Sequence, residues 1–185
     1  MRLDAQEPGC RCEGGSISDH SPGRVNDGET LVRILVAPTH FDKKTGLPKA
    51  TALSHAETIG LSVFREQHAT NDEIFNTAKK LIENFKSRQT NEKQLKKIGV
   101  FGVIRLDCNT IRSFIRSDET EPCYCVYDTA LAIAPSHADA FQRIADTADG
   151  IPDARRNALF DKVKAGFVPV DQFRDGLLKD LAPVE

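Results

Sequence analysis

The chain predicts an α+β fold: a small mixed sheet of about four or more strands, packed helices and a helical C-terminal tail. Three observations carry that prediction. Short apolar runs of strand length are bounded by Pro, Gly and Asp. One long segment repeats its apolar residues at helical spacing. Strand and helix patterns then alternate before a helix-rich end.

Taken in order, residues 1–29 are rich in Gly, Ser, Asp and Pro and lack apolar periodicity, so they are expected to form a flexible leader. An α+β core domain follows at 30–148, and a helical C-terminal extension at 149–185. "LVRILVA", Leu31 to Ala37, is a buried strand closed by Pro38. "THFDKKTGLPKA" makes a turn with Lys44, Thr45 and Gly46 at its tip. A short helix near Thr51 to Thr58 leads through Gly60 to a second strand, "LSVFR".

"ATNDEIFNTAKKLIENFKS" is the clearest helix. Ile74, Ala78, Leu81, Ile82 and Phe85 share one face, and Thr70 with Glu73 has capping-box spacing. The other face and "RQTNEKQLKK" after it are charged, as a solvated surface is. "IGVFGVIRLDC" is a strand apolar enough to be covered on both faces. Asn109 or Thr110 caps a short helix that turns Ile111, Phe114 and Ile115 inward. "CYCVYD" is a further strand. Helices are expected at about 137–147, with Ser136 as its cap, at about 152–165 and at about 169–181. Pro152 and Pro169 suit first turns, and Gly166 suits a C-terminal cap.

Composition narrows the function classes. A formal net charge of −2 gives no overall electrostatic footprint for nucleic acid, and without Trp there is no obvious base-stacking platform. No apolar stretch reaches membrane-spanning length, so no membrane association is expected. The N-terminus lacks the apolar core of a secretory signal, which makes a cytoplasmic location the expectation. Five cysteines without framework spacing point to reduced thiols.

Several residues could carry chemistry. On a strand, Cys123 and Cys125 would lie side by side and supply half of a tetrahedral zinc site, completed by Cys10 and Cys12 or by a histidine. The one-residue spacer and the burial typical of cysteine favour instead a small-residue core face, and no cofactor is expected. His40, His55, His68 and His137 each have a carboxylate close in sequence, at spacings that match no catalytic signature. Arg33 and Arg105 are lone cations inside apolar strands. Each needs a carboxylate partner or an exposed face; side by side they could also grip one anionic ligand.

A wider set of residues forms a pattern: Arg33 and Pro38; Asp42, Gly46 and Ala52; Leu61, Ser62, Val63 and Arg65; then Asp128, Pro135, His137 and Ala138. Over roughly residues 30–140 this resembles a family of small uncharacterised bacterial proteins with no known activity. The chain departs from that family in lacking Asn before Pro135 and in its long charged helix. The resemblance implies that Ser62, Arg65 and His137 belong to one shared feature.

Two functions follow as expectations. The first is a small cytoplasmic bacterial accessory protein that acts by binding a partner protein in a multi-component system, such as a defence or toxin–antitoxin locus. The second is a nucleotide- or phosphate-binding enzyme using Arg33, Ser62, Arg65, Arg105 and His137. An ADP-ribosyltransferase-like plan would add a late glutamate, for which Glu119 and Glu121 are the nearby candidates.

Overall fold

The sheet is organised around β1 (Thr30–Ala37), whose β-branched, apolar run suits a strand covered on both faces. The computed structural model describes residues 18–143 and 150–184. β1 runs antiparallel to β5 (Gly99–Asp107) from Thr30↔Asp107 to Ala37↔Gly99, with a bulge between Leu35 and Val36. Against β4 (Leu61–Arg65) it pairs only at Leu31↔Arg65 and Val32↔Phe64. β4 continues into β7 (His137–Gln142), and β7 into β6 (Tyr124–Asp128). β8 (Phe167–Pro169) lies on the far side of β5. The order is β6-β7-β4-β1-β5-β8, every ladder antiparallel. A two-strand hairpin, β2 (Phe41–Asp42) and β3 (Leu47–Pro48), turns through Gly46, whose φ of 71° favours a residue without a side chain.

Apolar residues collect on both faces. Leu31, Leu35, Leu61 and Val63 pack with Ala52, Leu53 and Ala56 of a 3₁₀ segment (Ala50–Glu57), and with Leu159 and Val163 of helix α4 (Ile151–Val163). Val32, Ile34 and Phe64 pack on the other side with Ile74, Ala78 and Ile82 of helix α1 (Asn71–Lys86). The expected apolar stripe of α1 is therefore its buried face. Thr70 caps it, Oγ1 accepting from the Glu73 amide at 3.1 Å. The Glu73 carboxylate does not close the capping box. It accepts instead from the Ser136 amide at 3.0 Å and the Ser136 hydroxyl at 2.8 Å.

Other expectations need correction. Residues 137–142 are strand β7, not a helix: Ala138 and Ala140 are small enough to lie under the 3₁₀ segment, and the strand is held on both edges by β4 and β6. The rest of that expected helix, 144–147, lies outside the described residues. The short helix after β5, α3 (Cys108–Arg112), is capped by Asp107, whose Oδ1 accepts from the Thr110 amide at 2.6 Å. It ends before Ile115, which is exposed. Pro152 does open a helix, α4. Pro169 ends β8, and the segment after it makes short 3₁₀ turns at Phe173–Gly176 and Lys179–Leu181 that bury Phe173 and Leu178. Gly166 is no left-handed cap. Its backbone lies so close to β5 that a β-carbon would overlap the Arg105 carbonyl oxygen.

Residues 18–29 and the described C-terminal stretch both pack onto the sheet. Residue Val25 is in the core and Glu29 is buried, so 18–29 packs against the strands. The C-terminal stretch supplies β8 and part of the α1-side core. No helix among the described residues is long and apolar enough to cross a membrane.

Candidate ligand-binding site

Beyond Val32↔Phe64 the β1–β4 ladder stops, and Arg33 stands at the parting. Its Nη1 donates to the Ser62 carbonyl oxygen at 2.9 Å, satisfying a strand acceptor that the ladder leaves open. The parting opens into a cavity of about 320 Å³. Arg33, Ile34, Ser62, Val63 and Phe64 come to it from the two strands; Thr77, Lys80, Leu81 and Phe85 come from α1. His55 and Ile59 close one side, and Leu131, Ile133, Ala134 and His137 another.

Arg33 is the unusual member. Three arginines are buried among the described residues, Arg33, Arg65 and Arg155. Arg65 faces Glu29 at 2.7 Å and Arg155 faces Glu119 at 2.9 Å. Arg33 is only 6% exposed, yet no carboxylate among the described residues reaches ion-pair distance; Asp139 acts on it from further away. Its Nε is buried without an acceptor, and Nη2 has only His55 Nδ1 at 3.5 Å. Burial pushes the Arg33 pKa down to about 10, with Asp139 opposing the fall, so the group is cationic at neutral pH. Burial, then Arg33 and Arg88, hold the His55 pKa below its ordinary value, leaving a neutral ring to face the guanidinium.

Behind this wall His40 closes the bulge in β1, its Nδ1 accepting from the Val36 amide at 3.1 Å. Burial, reinforced by Arg33, His55 and Lys49, pushes its pKa down to about 3. On the β7 side, His137 Nδ1 lies 2.9 Å from Thr129 Oγ1 and 3.1 Å from the Thr129 carbonyl oxygen. Thr129 Oγ1 donates onward to Asp139 Oδ2 at 2.8 Å. The Ser136–Glu73 contact fastens the segment just before His137 to α1.

The sequence-derived site residues divide. Arg33, Ser62 and His137 line one cavity. Arg65 does not: both oxygens of Glu29 hold its Nε and Nη2, and the carbonyls of Gly23 and Arg24 take the remainder. Arg105 does not either, because its exposed guanidinium is held by Glu66 with Nη2 at 2.7 Å and lies over the Phe173 ring. Two strand arginines thus have local carboxylates, and only the third is turned to a cavity. Among the described residues, none that lines the cavity is acidic. Glu119 is taken by Arg155 and by the Cys123 thiol at 2.7 Å, and Glu121 lies 3.5 Å from Arg143. The late glutamate of an ADP-ribosyltransferase-like plan is not brought to this cavity.

Cys123 lies just before β6 and shares a core cluster with Tyr124 and Val126. Burial and the Glu119 hydrogen bond push its pKa up to about 11, which favours the thiol over the thiolate that zinc requires. Among the described residues no group of three or more His, Cys, Asp or Glu is placed to hold a metal ion. Cys10 and Cys12 lie outside the described residues.

Thr77 and Lys80 were not singled out by sequence, and His55 stood out only as one of four histidines with a carboxylate close in sequence. A signal for Thr77 and Lys80 was present: they stand three apart on α1, and Thr77 is one turn before Leu81, at the margin of the apolar stripe. Chemically, the arrangement offers a buried cation, a second cation at Lys80, two imidazoles and predominantly apolar walls. No family model, no curated protein and no solved structure matches the chain, so this cavity is understood through its own residues.

Proposed function

We propose that the protein binds a small organic anion with an apolar body, its negative group on Arg33 and its body against Phe64, Leu81 and Phe85. The observation that carries this reading is the buried, acceptor-poor guanidinium of Arg33 in a cavity to which the described residues bring no acidic side chain. A buried charge with no counter-charge is costly, and a ligand carboxylate or phosphate would supply both the charge and the missing acceptors. The cavity is at the small end of the range for organic ligands, which favours compact molecules over dinucleotides. If the resemblance to small bacterial proteins holds, this pocket is the feature that joins Ser62 to His137, with Arg65 serving the fold beside it.

Titration calorimetry with phenylacetate, phenyl phosphate and neutral phenylacetamide tests the reading. The expected result is saturable binding of an anion but not of the amide. Binding should weaken roughly 10- to 100-fold in Arg33→Met, with the melting temperature unchanged or raised. Equal binding of anion and amide, or undiminished binding by Arg33→Met, overturns it.

A second reading, docking of a partner protein within a multi-component system, is favoured by one observation. Ile59 and Ile133 are each 72% exposed and Leu131 49% exposed, and all three line the cavity. Under this reading Ile59→Ser with Ile133→Ser loses a co-purifying partner at unchanged melting temperature. Retention of that partner removes the reading.

A further inference from the structure

We infer that the ligand carries, besides its anionic group, a hydroxyl or N–H donor, and that Nε2 of His137 accepts a hydrogen bond from it. This rests on the reading of the cavity as an anion site and adds the second half of the recognition. The tautomer of His137 follows from its neighbours. A carbonyl oxygen only accepts, so the Thr129 carbonyl 3.1 Å from Nδ1 requires a proton on that nitrogen. Thr129 Oγ1 gives its own proton to Asp139 and therefore also accepts from Nδ1. With Nδ1 donating, Nε2 is the ring nitrogen left to accept. No protein group among the described residues hydrogen-bonds Nε2, although His137 is mostly buried and lines the cavity.

The sheet also sets the span between the two recognition points. His137 pairs with Phe64, and Phe64 with Val32, the residue before Arg33. Two strand spacings separate β7 from β1, about 10 Å between backbones. Phe64 lies between them on the apolar wall. A flat apolar body with an acid at one end and a donor across from it matches that layout. The chemical class is a hydroxy- or amino-substituted apolar acid, with hydroxyaryl acids the simplest members.

The test uses the full chain, with phenylacetate and its 2-, 3- and 4-hydroxy isomers as calorimetric probes. At least one isomer should bind tenfold or more tightly than phenylacetate. His137→Phe should erase that advantage, so that in this variant the isomer binds no more tightly than phenylacetate. Thr129 is a positioning residue, so Thr129→Val should cut the advantage several-fold and leave phenylacetate affinity unchanged, a ratio that a purely structural role would not move. If no isomer gains over a phenylacetate that still depends on Arg33, this inference falls and the anion site stands. If phenylacetate and all isomers ignore Arg33→Met, both fall. Should His137→Phe fail to fold, an undiminished advantage in Thr129→Val overturns the inference.

Discussion

Arg65 and Glu29 meet as a two-point pair, with Nε and Nη2 each 2.7 Å from a different carboxylate oxygen and both side chains buried. Burial alone would raise the Glu29 pKa, but the hydrogen bonds from Arg65 and the Asn26 amide outweigh it and hold the carboxyl below its ordinary range. The pair fastens residues 23–29 to the sheet. Glu29→Ala leaves a buried guanidinium without its counter-charge and should cost about 3–5 kcal/mol in urea unfolding. Replacing both partners by apolar residues should recover much of that loss.

His40 predicts a pH dependence. Its folded pKa is pushed down to about 3 from 6.5, so between those values the unfolded chain takes up a proton that the folded one refuses. Stability therefore falls as pH drops below about 6.5, by roughly 2–3 kcal/mol at pH 4.5 from this residue. His55, also depressed, contributes with the same sign. The depressed carboxylates Glu29 and Glu119 contribute stability that is lost as pH falls below 4.5, mainly outside the interval from pH 7 to 4.5. His40→Asn keeps an acceptor near the Val36 amide but cannot titrate. Melting curves at pH 7 and pH 4.5 should show a smaller loss in the variant; equal losses would refute this assignment.

Glu73 links helix α1 to the segment that leads into His137. Glu73→Ala removes the acceptor for both the Ser136 amide and hydroxyl, at an expected cost of about 1–3 kcal/mol. Amide exchange at Ser136 and its neighbours should accelerate more than exchange within β1. Uniform acceleration across the chain would assign the residue to global stability alone.

Cys123 should be slow to react. With its pKa raised to about 11, its thiol buried and donating to Glu119, iodoacetamide at pH 8 should modify it in the unfolded chain but scarcely in the folded one. Tandem mass spectrometry distinguishes it from Cys125. Rapid labelling of Cys123 in the folded protein would contradict the buried Glu119 contact.

Strands and helices were legible where side chains announced their own burial. β1, β4, β5 and α1 carry long apolar patterns, and each lies where its sequence indicates. β7 was not legible, because "HADAF" alternates Ala with polar residues and alanine favours a helix when nothing else acts. Its strand form comes from β4 and β6 on either side, which are distant in sequence. β8 is too short to show a period. At the site, Arg33 and Arg105 look alike in sequence, single cations inside apolar strands, and Arg65 closes a third strand. Their difference lies in Glu29 and Glu66, which only folding brings to two of them. His137 could be singled out beforehand, but its connection to Asp139 through Thr129 depends on the turn that folds residue 129 back onto β7.

The brevity of β8 has a consequence for behaviour in concentrated solution. A sheet ends in two rows of backbone groups that invite another chain to add a strand. Here one border is three residues long and closes in Pro169, which has no amide hydrogen to offer. At the other border, the Val126 carbonyl of β6 already receives Arg112 Nη2 at 3.3 Å. Both margins thus offer an added strand few free backbone groups, which works against strand-by-strand growth of this sheet.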